Sequence, residues 1–459
     1  MALFRGVGVL LVLVLSCTVH AQLRSSANHA DYLIIHSSVC AGPAALHAQW
    51  RAAKGLVSMP VDIADIAREF PAAESRQSLR DFLSYAMTTW TPPYPAFVLL
   101  LGDSNIIPTW QHVSTDMQVP DTAYHDWPFV INQNQNDTQP DAAIGRFPVS
   151  DSATAELCLA KTRYFTDSMR RGDVPLDFLQ LIDSRDGDFF ETIAENDASS
   201  NFPSATRRAM LSALAGSAQY ASRETMWNTL RSGTRVLLYY GHGARWGWSH
   251  ERLLTYDNLD SVALPASPFV VSTVACSQKA LTGQEELFGT LLLRPKGGAV
   301  ATIGSSGLNY AGIISSILTH AHRAMINDGV AVGSALLAAI RERSAVWEAM
   351  RMVLSGDPAL RLPRDIVAGI NGQPVGETDF TIHAYPNPAR GIVRFDVPVS
   401  RETAFEIDIF NTLGVHVAHI RSDAASRAMW DSSLMPNGVY HYRAHSGTKQ
   451  SAGTLHILQ

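Results

Sequence analysis

The sequence predicts an α/β fold with a mainly parallel sheet, helices on both faces and a small all-β sandwich behind it. Three observations carry this. Up to about residue 362, continuous apolar runs such as "AFVLLLGD", "RVLLYY" and "PFVVSTVA" alternate with stretches of helical periodicity, the rhythm of βαβ units. Those runs are apolar throughout rather than alternating, as strands covered on both faces must be. Beyond residue 380 the pattern changes to short alternating runs separated by turn residues.

In chain order, "MALFRGVGVLLVLVLSCTVHAQ" has a lone Arg5, an apolar run from Val7 to Leu15 and small residues before Gln22. The run is shorter than the roughly 20 residues a membrane helix needs, so residues 1–21 are expected to be a secretory signal peptide cleaved after Ala21. Lipid attachment at Cys17 is the alternative. "DYLIIH" then reads as a strand, "VDIADIAREF" and "SRQSLRDFLSYAMTTW" as helices, and "AFVLLLGD" as a central strand. "DAAIGRFPVS" is a further strand and "ATAELCLAKTRYFTDSM" a helix, followed by the strands "FLQLID", "RVLLYY", "PFVVSTVA" and "GAVATIG". This α/β domain is expected to occupy residues 22–363. The Gly- and Pro-punctuated stretch 364–380 reads as a linker. Residues 381–459, with "IVRFDV", "FEIDIF", "VHVAHI", "VYHYRA" and "GTLHIL", form the sandwich.

Composition narrows the function classes. Of 459 residues 46% are hydrophobic and 17% charged, which is globular rather than disordered. With 36 Lys+Arg against 42 Asp+Glu, a formal charge of −6 and no basic stripe, nucleic-acid binding is not expected. After the signal, three cysteines remain, Cys40, Cys158 and Cys276, an odd number that leaves one thiol free or paired between molecules. Cys40 and Cys158 fit either a bridge or two buried thiols. No C-x-x-C pair offers a structural zinc site.

Sites in parallel sheets form at the carboxyl ends of strands. Two runs deliver chemistry there: "RVLLYYGHG" brings His242 and "PFVVSTVACSQ" brings Cys276, spaced by about one crossover unit. A thiol becomes a nucleophile when an imidazole takes its proton. Gly241 and Gly243 are expected to allow a sharp turn and close approach of substrate, with the amides of Gly243 and Cys276 open to an oxyanion.

The pair "YYGHG" and "TVACSQ" resembles the gingipain family of caspase-like cysteine peptidases. "FVLLLGDSN", "AAIGRFPVS", "GGAVATIGSSGLNY" and "SGDPALRL" resemble that family's segments in the family's order. The resemblance implies a caspase-like fold and an exported cysteine endopeptidase acting through a thioester acyl-enzyme, with Cys276 as nucleophile and His242 as general base and then acid. It implies oxyanion donors at Gly243 and Cys276. An orienting carboxylate is expected before "GRF", at Asp141, with Asp126 in "YHDWPF" as second choice; Asp103 in "LLLGDSN" reads as a helix cap or metal contact. The position matching the family's aromatic lid falls at Ala311 with Tyr310 beside it, a departure from the pattern, and Asp151 or Glu156 would supply pocket charge. The chemistry needs no cofactor; surface calcium is a family expectation.

"AYPNPARGIVRFDV", "IDIFNTLGVHV" and "MPNGVYHYRAHSG" resemble the C-terminal sorting domain of the type IX secretion system, with Pro386, Asn387 and Pro388 at its entry and Gly438, Val439 and Tyr440 in a late strand. That implies secretion to the surface or exterior of a bacterium with an outer membrane, the secretion machinery as partner and protein or peptide as substrate. No transmembrane segment is expected in the mature chain, and no nucleic-acid partner. The rival readings on the same fold are a sortase-like transpeptidase processing exported proteins and a catalytically silent surface adhesin.

Overall fold

The computed structural model of the chain describes residues 22–115, 120–132, 139–169, 177–202, 208–262, 264, 267–282, 285–343, 347–362, 382–387, 389–396, 404–411, 416–423, 427–446 and 449–458. The expected signal peptide and linker lie outside them. Ten strands form one sheet: β1 Tyr32–His36, β2 Ser58–Asp62, β3 Phe97–Leu101, β4 Ala143–Phe147, β5 Asp177–Ile182, β6 Arg208–Ser212, β7 Thr234–Tyr240, β8 Phe269–Val274, β9 Ala299–Ser305 and β10 Met352–Gly356. Their spatial order is β2-β1-β3-β4-β10-β9-β8-β7-β5-β6, and every neighbouring pair is parallel except β9 with β10. Strands β1, β3, β4, β7, β8 and β9 are buried at every residue, which explains their unbroken apolar runs.

Helices cover both faces in two groups. Ala41–Ala52 (α1), Ser152–Met169 (α2) and Leu287–Leu293 (α3) pack together, as do Phe189–Asn201 (α4), Ala311–Ile326 (α5) and Val332–Glu342 (α6). Ile314, Ile317, Leu318, Ala321 and Met325 place an apolar stripe of α5 inside, at the spacing a helix needs to bury one face. Thiols Cys40 and Cys158 are both free and buried, each directed at a backbone carbonyl, so the bridge left open by the sequence does not form.

A buried charge cluster ties α1 to the segment after β10. Asp357, fully buried, accepts from Arg51 at 2.5 Å and from His47 at 2.8 Å, while its other oxygen takes the amide of Ala359. Burial alone would raise the Asp357 carboxyl; the Arg51 guanidinium and His47 outweigh it and hold it far below the usual carboxylate range. Removing one partner strands a charge in the interior. Asp357→Ala is therefore expected to destabilise the domain by about 3–5 kcal/mol, read as a lowered urea midpoint at unchanged slope; a midpoint equal to wild type would contradict this. The folded-state depression also fixes the sign with pH. The cluster's contribution is complete above the unfolded carboxyl's ordinary range and is lost only as pH falls toward the lower folded value.

The C-terminal part is two antiparallel sheets. His383–Tyr385, Ile392–Asp396 and Arg427–Asp431 form one; His416–Arg421, Glu406–Asn411, Gly438–Ser446 and Lys449–Ile457, in that order, form the other. Val393, Phe395, Ile407, Ile409, Trp430, Tyr440 and Tyr442 make a core separate from that of the large sheet. Among the described residues, several contacts join the two parts: Arg394 pairs with Asp31 at 2.7 Å and donates to the carbonyl of Tyr94, Tyr385 lies against Phe97, and Arg361 lies over the Tyr385 ring.

Candidate active site

Four neighbouring strands of the sheet, β9-β8-β7-β5, each run into a loop or turn that carries a residue of the site. Tyr240, the last residue of β7, is the direct partner of Val274, the last of β8. His242 and Cys276 each stand two residues further on, so the pairing register brings the loops that carry them to the same level of adjacent strands.

The carboxylate beside the histidine comes from β5. Asp186, in the turn after Ile182, meets His242 Nε2 at 2.7 Å. This corrects the expectation for Asp141 and Asp126. Asp141 lies before β4, where it accepts from the amide of Asn132 and pairs with Arg341 at 3.2 Å; Asp126 clamps Arg146 at 2.8 Å through both of its oxygens. Sequence reasoning missed Asp186 because "SRDGDFFE" offers several acids after the strand "FLQLID" and nothing in their spacing selects one. The His242 ring is further bracketed edge-on by Phe190 at 5.5 Å and His250 at 5.8 Å.

The sulfur is held from β9. Cys276 Sγ lies 3.5 Å from the amide and 3.4 Å from the carbonyl of Asn309. Asn309 is buried, its side chain bonded to Ser305 Oγ and the carbonyl of Glu348. Its loop is pinned on one side by Asp121, which accepts from Leu308 N at 2.6 Å, and on the other by Arg351, which donates to Leu308 O. Burial pushes the Cys276 thiol up, and the Asn309 amide opposes it in part. Burial thus favours the neutral thiol over a thiolate.

The glycines beside His242 serve packing rather than a left-handed turn. Neither has positive φ. A Cβ on Gly243 would stand 2.7 Å from Gln278 Nε2 and 2.9 Å from the carbonyl of Cys276; one on Gly241 would run into Asp183 and Tyr239. Gln278 is the brace between the two loops: it donates to the carbonyls of Ala244 and Cys276 and accepts from Trp248 Nε1. Tyr310, next to Asn309, is 49% exposed, whereas Ala311 begins α5 and packs on the core. Of the other acids, Asp103 caps the amides of Asn105 and Ile106, Asp151 caps Thr154 at the start of α2, and Glu156 pairs with Arg163.

The sequence profile of peptidase family C25 matches residues 25–363, about three-quarters of the chain and all of this site. The chain belongs to family C25, the gingipain cysteine peptidases. A second profile, the secretion system C-terminal sorting domain, matches residues 383–457. Solved structures of similar fold include a protease at 14% identity and TM-score 0.59, spanning 95% of this chain and 99% of that one. They also include the Arg-specific cysteine proteinase gingipain R (RgpB), at 13% identity and TM-score 0.58 over 95% and 99%. The complex of Porphyromonas gingivalis RgpB pro- and mature domains follows at 13% and 0.58 over 93% and 100%. No curated protein sequence matches. This C25 peptidase is thus a cysteine-type hydrolase of protein substrates, and its type IX sorting domain marks it for secretion and the cell surface. Among the described residues no helix is long and apolar enough to cross a membrane.

Proposed function

We propose that Cys276 and His242 form the catalytic dyad of an exported endopeptidase, with Asp186 as the residue that positions the imidazole. The carrying observation is the register: His242 and Cys276 follow directly paired residues of adjacent strands. Asp186 on Nε2 leaves Nδ1 as the nitrogen to take the thiol proton. The thiolate then adds to the scissile carbonyl carbon, and the oxyanion is met by the amides of Gly243 and Cys276. The protonated His242 gives its proton to the leaving amine as the C–N bond breaks, which leaves a thioester on Cys276. Water, deprotonated by His242, cleaves that thioester to a carboxylic acid and the free thiol. No step requires a cofactor. The exposed ring of Tyr310, next to Asn309, is free to cover a bound side chain, since Ala311, the position that matches the family's lid, carries no ring.

Alkylation tests this reading. Iodoacetamide is expected to inactivate the purified protein with one carboxamidomethyl group on Cys276, because Cys40 and Cys158 are buried. Since burial raises this thiol, the rate should keep climbing above the ordinary thiol range instead of levelling off near neutrality. Inactivation with the label elsewhere would overturn the assignment.

The carboxylate is tested separately. Asp186→Ala is expected to lower kcat/KM by about 10- to 100-fold, less than loss of a general base, which costs about 10²–10⁴. Asp141→Ala should leave kcat/KM at the wild-type value, as measured by steady-state peptide cleavage. The reverse pattern would restore the role to Asp141.

A further inference from the structure

Among the described residues, a single group of three metal-ligating side chains lies close enough together to hold an ion: Asp408, His416 and His419 on the sorting domain. Asp408 and His419 are direct cross-strand partners. His416 is three residues from His419, and in a regular strand two such side chains point to opposite faces. Here they do not, because the register slips between Ile409 and Phe410: Ile409 pairs with Ala418 and Phe410 with His416, leaving Val417 extra. Such a bulge re-aims the side chains on one side of it. Val417, Ala418 and Ile420 consequently pack on the core, while His416 and His419 both face outward over Asp408.

The outcome is convergence on one oxygen. His416 Nε2 lies 2.9 Å and His419 Nδ1 2.8 Å from Asp408 Oδ1, and the three ligand atoms are mutually within 4.8 Å. Ligands at about 2.0–2.2 Å around a tetrahedral ion sit roughly 3.3 Å apart, so small side-chain rotations suffice to admit one. Behind them, Glu406 lies 3.8 Å from the other nitrogen of His419 and is itself held by His445 at 3.2 Å and Arg421 at 2.9 Å. At that distance Glu406 adds negative charge beside the two imidazoles without hydrogen-bonding His419.

We propose that Asp408, His416 and His419 form a binding site for a divalent cation of the zinc class on the sorting domain. Two imidazoles and one carboxylate suit zinc, copper or nickel rather than calcium, which takes oxygen ligands. Three protein ligands leave a coordination position for water or a donor from a second molecule. The ion would tie the edge strand His416–Arg421 to its neighbour Glu406–Asn411.

The test uses the full-length, metal-stripped chain carrying Cys276→Ser, so that the active-site thiol binds nothing. Calorimetric titration with Zn(II) at pH 7.5 is expected to show one equivalent that is lost in the His416→Gln/His419→Gln double variant. Asp408→Asn should weaken it at least tenfold, and His445→Gln, which removes no ligand, should retain it. The Co(II)-loaded protein should show tetrahedral d–d absorption that the double variant lacks. Circular dichroism confirms that each variant is folded, and peptidase activity in the otherwise wild-type background should be unaffected by His416→Gln/His419→Gln. Equal stoichiometry and affinity in the double variant, or no binding by the Cys276→Ser chain, would overturn the proposal.

Discussion

Replacing Cys276 by alanine is expected to abolish peptide hydrolysis, lowering kcat/KM by at least about a thousandfold while the thermal unfolding midpoint stays near wild type. The thiol is half-buried and its hydrogen bonds go to the Asn309 backbone, which stays in place without it, so its removal costs little packing. His242→Ala should be nearly as damaging, because burial raises this thiol and makes its ionisation more dependent on a base. The two losses should not add, since both residues serve the same proton transfer; a double variant no worse than either single one is the expected pattern. Steady-state cleavage of a diverse peptide library checks all three. Turnover by Cys276→Ala within tenfold of wild type would sink the dyad.

Ending the chain near residue 375 is expected to redirect the protein while sparing its chemistry. The truncated form should remain in the periplasm of its own organism, whereas the full chain reaches the surface or medium. Every residue proposed for catalysis lies between Asp186 and Tyr310, and the two parts have separate cores. Truncation also removes Arg394 from Asp31, but that pair sits at the amino end of β1, whereas the proposed site lies at the carboxyl ends of the parallel strands. Kinetic constants should therefore equal those of the full chain. Fractionation with immunoblotting reads the location, and a truncated protein found outside the cell would show that the module is not the sorting signal.

The strand-end cysteine and histidine were legible because a fully covered strand forces an unbroken apolar run, which makes its polar terminus conspicuous. "RVLLYYGHG" and "PFVVSTVACSQ" stand out for that reason. The two-part layout was legible for a related one: burial on both faces and burial on one face leave different periodicities. The glycines were visible too, yet their reason was not. Close approach by Gln278 and the Cys276 carbonyl comes from loops distant in sequence, and a turn explanation was the local one to hand.

The sequence by itself determined the α/β order, the placement of Cys276 and His242 at the ends of adjacent apolar strands, and the β module, since each depends on hydrophobic pattern within a few tens of residues. Tertiary structure alone decided which acid lies beside His242. Asp186, Asp141 and Asp126 all stand near strands, and only the order β8-β7-β5 puts the first beside the imidazole while Arg341 and Arg146 engage the others. It also decided that Asn309 cradles the sulfur and that a bulge turns His416 onto the face of Asp408. Strand order and register are set by packing between distant segments, and that information is spread over the whole core rather than written at any one residue.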